Sequence, residues 1–453
     1  MQWYRGDVKT LIENWQFSDN PFWADYQVLG PSFGALSVFM SMTDVLPIMI
    51  GSRGCATHLR FTKIAWGGDF GLEPRPLPFI EVSQSQVIHG QYAISTPQLT
   101  TLQKLVSRFQ PHRLVLVSND DVLLTCADLT PLQTQLEKSL GIPTSVLEIA
   151  PISGANQWVG YDKALGLLYE PFMDDVVEKK EGINLVGWKW PSRERHHDIG
   201  ACLTLLKAVG VPVNHVIPGG ASLADIQDSL ASQVNLLWCP SYIGETLERL
   251  EWEKGLRLAG FTPPYGFEGT MDWLSELGEA IGDPRGILQR AEAVRCNYGV
   301  ELDSLKALLQ GKRAFISGGP GRLIGLLHVM ADLGVDVPAA ALFWPHSTSQ
   351  QNLSKVMQRL PKPPRTLLVS PSLYELEEIA SEERLDFWMG GYQEHHTCKR
   401  HGIPFVPTTV YTASNQCFEG VIHLGRKIEK ALNGFDFVAN VFRSVEAPND
   451  DSS

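Results

Sequence analysis

Short apolar runs recur along the chain, and most are followed by glycine and then by a segment with helical spacing. One such unit opens at residues 183–190, "INLVGWKW", and Gly210 stands where its helix would end. The apolar residues at helical spacing between them are Ile199, Cys202, Leu203, Leu206 and Val209. A similar unit begins with "GKRAFISGGPG" at 311–321 and closes at Gly334. Its helical face is formed by Leu323, Leu326, Leu327 and Met330. The pattern therefore predicts strands that alternate with helices.

Near-continuous apolar strands of this kind are typical of parallel sheets that are buried on both faces. The N-terminal third contains further strand candidates, "VLPIMI", "LPFIEV", "HRLVLVS" and "TSVLEI". We therefore expect an α/β protein with three Rossmann-like, doubly wound parallel-sheet domains around a central cleft. Their predicted ranges are 25–180, 181–300 and 301–435. Ligands of such sheets bind beyond the carboxyl ends of the strands, so functional residues should follow strand ends.

The two ends of the chain differ from the rest. Residues 1–24 form an arm rich in aromatic residues, which we expect to pack on its own chain or on a partner. Residues 436–453 are predicted to be a C-terminal tail, which ends in the acidic, polar stretch "EAPNDDSS".

Composition excludes several function classes. The 453 residues are 44% hydrophobic and 19% charged, which is typical of a globular protein, and the formal net charge is −12. An acidic chain without a basic stripe argues against a nucleic-acid partner. No apolar run is long enough to cross a bilayer, and the N-terminus lacks a signal-peptide core, so we expect a cytoplasmic protein without membrane insertion.

The 7 cysteines are dispersed, and no pair has the spacing of a CxxC motif. An odd, scattered set in a chain of this length argues against a disulfide framework and favours buried free thiols.

Three local motifs invite specific chemistry but are weak. "GGPGRLIG" (318–325) follows a strand, yet Pro320 has no N–H for a phosphate and the next strand brings no acidic residue, which favours a tight turn over dinucleotide binding. The adjacent His196 and His197 cannot share one helical face. A further cluster, in "GGYQEHHTCKRHG", suggests zinc, but it lacks a second half with ligand spacing. We expect it to be a helix N-terminal region whose polar side chains face a cleft or solvent.

Cys55 follows a predicted strand end in "MIGSRGCATHLRF" (49–61). Glycines at 51 and 54 permit unusual backbone angles and close approach of a bulky group. Thiolates bind zinc and iron–sulfur clusters, whereas a lone cysteine is also a common core residue. The residues by themselves leave both interpretations open.

The order of the pieces along the chain resembles the nitrogenase component-1 superfamily. The resemblance is carried by "GPSFGALSVFMSMTDVLPIMIGSRGCATHLRF", "FIEVSQSQVIHG", "HRLVLVSND", "INLVGWKW", "GKRAFISGGPGRLIGLLHVMADLGVDV" and "LDFWMGGYQEHHTCKRHGIPFVPT". Within the superfamily the likeness is strongest to light-independent chlorophyllide and protochlorophyllide reductases, through "PSFGALSV", "IGSRGCATHLRF" and "GFEGTMDWLSELGEAIG".

The resemblance implies an oxidoreductase subunit that shares a [4Fe–4S] cluster with a homologous partner subunit in a heterotetramer. An ATP-dependent iron–sulfur reductase would supply electrons, and the reaction would be a two-electron reduction of a ring double bond in a tetrapyrrole of the chlorophyllide type. It further implies that Cys55 and Asp120 are cluster ligands. We expect the protons to come from nearby acids, His58 or Asp121. His58 is equally explained as a satisfied polar group beneath the turn.

The chain departs from the family pattern at two of three ligand positions. The first expected cysteine falls at about Gly30 or Ser32, and the third falls at about Asp120. Asp120 or Asp121 would then replace a thiolate, or Cys126 would be recruited. A scaffold or assembly subunit without catalysis, and a Rossmann-type protein that binds a small molecule, are the alternative functions.

Overall fold

The computed structural model describes residues 2–19, 30–52, 54, 77–118, 122, 124–149, 156–188, 195–346, 348–391, 394–408 and 413–446. The strands are β1 (Gln2–Asp7), β2 (Ser18–Asp19), β3 (Val45–Gly51), β4 (Phe79–Glu81), β5 (Arg113–Ser118), β6 (Thr144–Glu148), β7 (Ile183–Trp188), β8 (Val213–Pro218), β9 (Val234–Leu237), β10 (Arg257–Ala259), β11 (Arg313–Gly318), β12 (Asp336–Leu342), β13 (Thr366–Val369), β14 (Phe387–Gly390) and β15 (Phe405–Pro407).

The α-helices are α1 (Val8–Asn14), α2 (Pro31–Phe39), α3 (Gln84–His89), α4 (Thr96–Phe109), α5 (Thr130–Leu140), α6 (Gln157–Tyr169), α7 (Arg195–Ala208), α8 (Leu223–Ser229), α9 (Glu245–Lys254), α10 (Gly266–Ile281), α11 (Pro284–Arg295), α12 (Gly299–Leu309), α13 (Pro320–Asp332), α14 (Ser349–Arg359), α15 (Leu373–Glu382), α16 (His395–His401) and α17 (Cys417–Glu446). Short 3-10 helices lie at Glu170–Phe172, Pro240–Tyr242 and Cys296–Tyr298.

Three sheets organise these elements. The first is four-stranded and parallel in the order β4-β3-β5-β6, and the second is four-stranded and parallel in the order β10-β9-β7-β8. Strands β3 and β7 are buried along their whole length, as the apolar runs predicted. In both sheets the first strand lies inside and later strands are added on either side. This is the doubly wound α/β arrangement that the sequence predicted.

The third sheet is seven-stranded, in the order β15-β14-β11-β12-β13-β1-β2. Its last two strands come from the N-terminal arm. Strand β1 pairs antiparallel with β13, with Tyr4 opposite Val369. The arm therefore packs on its own chain. Trp3 fixes it further, because its indole N–H donates to the buried carboxylate of Glu375 at 2.9 Å.

Local sequence signals explain where several helices begin. Ser95, Ser222 and Ser372 each accept a hydrogen bond from the third residue of the following helix. The side chain of that third residue accepts a hydrogen bond from the serine N–H, which completes a capping box. These caps satisfy N–H groups that a helix leaves without partners in its first turn.

Two details differ from the pattern. Leu203, placed on the apolar face of α7, is 36% exposed, and Leu205 is buried instead. Helix α17 continues to Glu446, beyond residue 435, where a tail was predicted to begin. Residues 447–453 lie outside the described part of the chain.

The chain forms two compact units. One comprises Val28–Phe261 and Ser275–Ile287 and contains the first and second sheets; the other comprises Met1–Gln27, Thr262–Leu274 and Leu288–Ser453 and contains the third. Inside the former, Leu223 N–H donates to the Asp44 carboxylate at 3.0 Å, and Thr43 N–H donates to Ala221 O at 2.8 Å. The division of this unit into domains at residues 180 and 181 stays a prediction.

Candidate functional site

The carboxyl edge of the first sheet carries the strand ends from which the predicted site residues follow. Strands β3 and β5 are neighbours and run parallel, and Ile50 lies opposite Ser118 in their register. The chain leaves β3 toward β4 on one side and leaves β5 toward β6 on the other. The crevice between β3 and β5 is therefore the topological switch point, where ligands of open α/β sheets bind.

The predicted site residues themselves, Cys55, His58, Asp120 and Asp121, lie outside the described residues. Each segment follows a described strand end. Cys55 is four residues beyond Gly51, the last residue of β3, and Asp120 is two residues beyond Ser118, the last residue of β5. Adjacent strands are about 4.8 Å apart, and an extended residue spans about 3.5 Å. The two strand ends that these segments follow therefore lie side by side at the switch point.

The first expected cysteine position lies in a tightly packed segment without a thiol. Gly30 precedes α2 as its N-cap, and Ser32 is buried in the first turn of that helix. Helix α2 packs on α6 through two glycines. A Cβ atom on Gly34 would lie 1.8 Å from Gln157 O, and one on Gly160 would lie 1.7 Å from Pro31 O.

Four of the described cysteines are buried: Cys202, Cys239, Cys398 and Cys417. Burial, together with the nearby carboxylate of Glu394, raises the pKa of the Cys398 thiol to about 12. That thiol stays protonated at neutral pH, which disfavours metal binding. Cys126 and Cys296 are exposed. Of these two, only Cys126 follows β5 closely; it has a left-handed φ of 50°.

The histidine-rich motif does not form a metal centre among the residues that the structure describes, where no group of three His, Cys, Asp or Glu side chains could hold an ion. His395 and His396 begin α16 and are exposed, as expected. Cys398 of the same motif is fully buried instead of facing a cleft or solvent, because it packs in the core with Phe315 and Trp388. His401 Nε2 pairs with Glu377 at 2.8 Å.

The "GGPGRLIG" segment is a strand-to-helix turn. Gly319 caps α13 and Pro320 occupies its first turn, where no N–H partner is needed. A Cβ atom on Gly325 would lie 2.4 Å from Cγ of Tyr265, so this glycine allows close packing of an aromatic ring. The glycine spacing therefore has a packing explanation.

A buried polar pair at the switch point of the third sheet was not predicted. Ser317, in β11, donates a hydrogen bond from Oγ to the carboxylate of Glu394, which follows β14 and is fully buried. Gly390 leaves room for both, since its Cβ would lie 2.5 Å from Ser317 Oγ. In the sequence, this pair is indicated only by an acidic residue, Glu394, that closely follows Gly390 and Gly391 at a strand end.

Comparison with known proteins agrees with this architecture. The sequence pattern of the nitrogenase component 1 type oxidoreductase family matches residues 31–433. The solved structure "Nitrogenase Cp1 at pH 5" superposes with a TM-score of 0.75 at 18% identity, over 93% of this chain and 92% of that chain. That likeness establishes the fold.

Several relatives come from two groups of this family. A light-independent protochlorophyllide reductase subunit from Prochlorococcus marinus (strain NATL1A) is 25% identical over 83% of this chain and 70% of its own length. A subunit of the same reductase from Chlorobium phaeobacteroides (strain BS1) is 23% identical over 67% of this chain. The chain spans 59% of that protein's length. The nitrogenase molybdenum-iron protein alpha chain of Methanothermococcus thermolithotrophicus is 22% identical over 86% of this chain and 82% of its own length.

No helix among the described residues is long and apolar enough to cross a membrane. Members of the matched family bind metal–sulfur clusters and work in complexes of several subunits. Because the family pattern matches residues 31–433, the chain belongs to the nitrogenase component 1 type oxidoreductases.

Proposed function

We propose that the chain is the counterpart of the Y subunit of chlorophyllide a reductase, a subunit of a nitrogenase-like enzyme in the cytoplasm. The reaction is an ATP-dependent, iron–sulfur-mediated two-electron reduction of a tetrapyrrole ring double bond. The observation that carries the proposal is the register of β3 and β5, with Ile50 opposite Ser118. The strand ends after which Cys55 and Asp120 follow in the sequence therefore lie side by side at one edge of one sheet.

The proposed cofactor is a [4Fe–4S] cluster. Cys55 would hold it through a thiolate and Asp120 through a carboxylate, which are two of the four ligands that such a cluster takes. When bound, the cluster supplies one-electron transfer to the substrate. A homologous partner subunit in the heterotetramer completes the ligand set, and a separate ATP-dependent iron–sulfur reductase delivers the electrons.

The donor set of the described residues supports this assignment by elimination. The four buried cysteines lack the exposure that a shared cluster requires. The candidate thiolates near the switch point are then Cys55 and, as the alternative, Cys126.

In this proposal the protein supplies the protons of the reduction. His58 and Asp121 are the residues that hold a proton and donate it to the reduced ring. Asp121 can donate a proton only when its carboxyl group is protonated. A dry environment favours that neutral form, because it disfavours the charged carboxylate.

An activity assay tests the proposed reaction. A mixture of the complex with its partner subunit, the ATP-dependent reductase, dithionite as electron donor and chlorophyllide a should lose the absorbance of the substrate when ATP is added. Cys55→Ser should abolish turnover, whereas Cys296→Ser, which changes an exposed thiol far along the chain, should leave it unchanged. Equal activity of both variants would contradict the proposal.

One observation favours a second function, a scaffold or assembly subunit without catalysis. Gly30 and Ser32 occupy the expected first ligand position, and neither side chain provides a thiolate. A scaffold would bind the cluster and release it to another protein. It would show no ATP-dependent loss of chlorophyllide with any partner, while iron bound to the chain would decrease as an acceptor protein gains it.

A further inference from the structure

Helix α9 carries a large aromatic side chain on its solvent face. Trp252 is 91% exposed, whereas Leu247 and Leu250 on the opposite side of the helix are buried. A tryptophan buries 150–250 Å² when it packs, so the exposed indole offers a large contact area to a partner.

Trp252 lines an open depression of about 380 Å³. Its other lining residues are Glu245, Glu248, Arg249 and Glu251. Residues 245, 248 and 252 are three and four positions apart, which places them in a row on one helix face. We refer to these five lining residues as the Trp252 surface.

The charge of the Trp252 surface is negative. Arg249 is already paired, because its guanidinium contacts Glu170 and Glu253, each at 3.1 Å. Glu251 accepts a hydrogen bond from Leu258 N–H at 3.0 Å. Among the described residues, Glu245 and Glu248 have no ion-pair partner within 4.0 Å, so two uncompensated carboxylates stand beside the exposed indole.

We propose that the Trp252 surface docks an arginine-bearing segment of a partner protein. The guanidinium stacks on the Trp252 indole and pairs with the carboxylates of Glu245 and Glu248. Arginine fits better than lysine, because its planar, weakly hydrated group both stacks on aromatic rings and binds carboxylates. The same carboxylates repel nucleic acids and anionic lipids. This inference is independent of the cluster and of the proposed reaction.

Fluorescence anisotropy of a labelled oligo-arginine peptide, titrated with the full chain at about 0.15 M ionic strength, tests the proposal. Trp252→Ala and the pair Glu245→Gln with Glu248→Gln should each weaken binding by about fivefold, the size of an exposed cation–π contact. Trp252→Phe retains an aromatic face and should recover most of the affinity. An oligo-lysine peptide should bind more weakly than oligo-arginine.

The matched control is the pair Glu178→Gln with Glu181→Gln, which removes the same charge from exposed positions outside the depression. The affinity of this control variant should stay within about twofold of that of the unaltered chain, because its two carboxylates do not line the depression and charges outside it are screened at this ionic strength. An equal loss in the control and in the Glu245 and Glu248 pair would show general attraction to an acidic protein and would overturn the proposal. Absence of binding, or an oligo-lysine affinity equal to that of oligo-arginine, would also overturn it.

Discussion

Two glycines allow α2 and α6 to meet at the level of their backbones. Gly34 and Gly160 face carbonyl oxygens of Gln157 and Pro31, which are main-chain atoms that cannot rotate away. A side chain at either position would force the helices apart, and core overpacking commonly costs 1–3 kcal/mol. These residues therefore determine the packing around the segment where a ligand cysteine was expected.

We predict that Gly160→Ala lowers the free energy of unfolding by about 3 kcal/mol, because its Cβ would overlap Pro31 O. Gly200→Ala is the matched control, since Gly200 lies inside α7 with no atom within 4 Å of its Cβ position. That control should stabilise the chain by about 0.5–1 kcal/mol. Urea denaturation measures both, and a Gly160→Ala midpoint equal to the wild-type one would refute the packing interpretation.

His328 is buried and Asp332, one turn further along α13, is half-buried, and the two have opposite responses to pH. Burial raises the pKa of Asp332 to about 7 even though its carboxylate accepts the Phe267 N–H at 2.7 Å, and burial lowers the pKa of His328 to about 4. Because the pKa of Asp332 is higher in the folded chain, its protonated form adds stability at low pH, and this stability is lost as pH rises from 3.8 through about 7. Because the pKa of His328 is lower in the folded chain, its neutral imidazole adds stability above pH 6.5, and this stability is lost as pH falls toward 4.

We therefore predict that the two contributions partly cancel in the wild-type chain and that single variants separate them. Asp332→Asn should make stability rise more steeply with pH between about 4 and 7, because only the histidine effect remains. His328→Gln should make stability fall over the same range. Thermal midpoints recorded across pH measure this, with the exposed Asp303→Asn as the control. An Asp332→Asn profile that is parallel to the wild-type one would contradict the assignment.

At the scale of single elements, the N-terminal arm shows where sequence reasoning was incomplete. Its aromatic residues predicted packing on some surface, but local patterns carry no information about which strand receives it. Tyr4 pairs with Val369, far along the chain. The long apolar strands could be predicted because their signal is local, and the capping serines found in the structure are local signals too.

We predict that Trp3→Phe costs about 1–3 kcal/mol of stability, the usual penalty for a buried polar atom that loses its partner. The atom is Oε1 of Glu375, which is fully buried and accepts the Trp3 indole N–H at 2.9 Å. Trp252→Phe is the control, because Trp252 is 91% exposed and has no comparable packing to lose. Urea midpoints that are equal for the two variants would show that the arm contributes little.

At the scale of the whole molecule, the apolar runs were sufficient to predict three sheets built on parallel strands, since buried parallel strands need apolar residues on both faces. The two antiparallel strands that the N-terminal arm adds to the third sheet were not predicted. The apolar runs also predicted that functional residues follow strand ends. Sequence could not reveal the carboxylate of Glu394 beside Ser317, because that contact joins residues from β11 and the turn after β14. Ligation at Cys55 and Asp120 stays a proposal, supported by strand register and family membership.

The most direct measurement of the central proposal is the iron and acid-labile sulfide content of the complex, purified without oxygen. We predict that Cys55→Ser loses most of both, that Asp120→Ala reduces both, and that the exposed control Cys296→Ser retains the full content. Full iron and sulfide in Cys55→Ser, with the complex intact, would contradict the assignment of the β3 strand end as the cluster site.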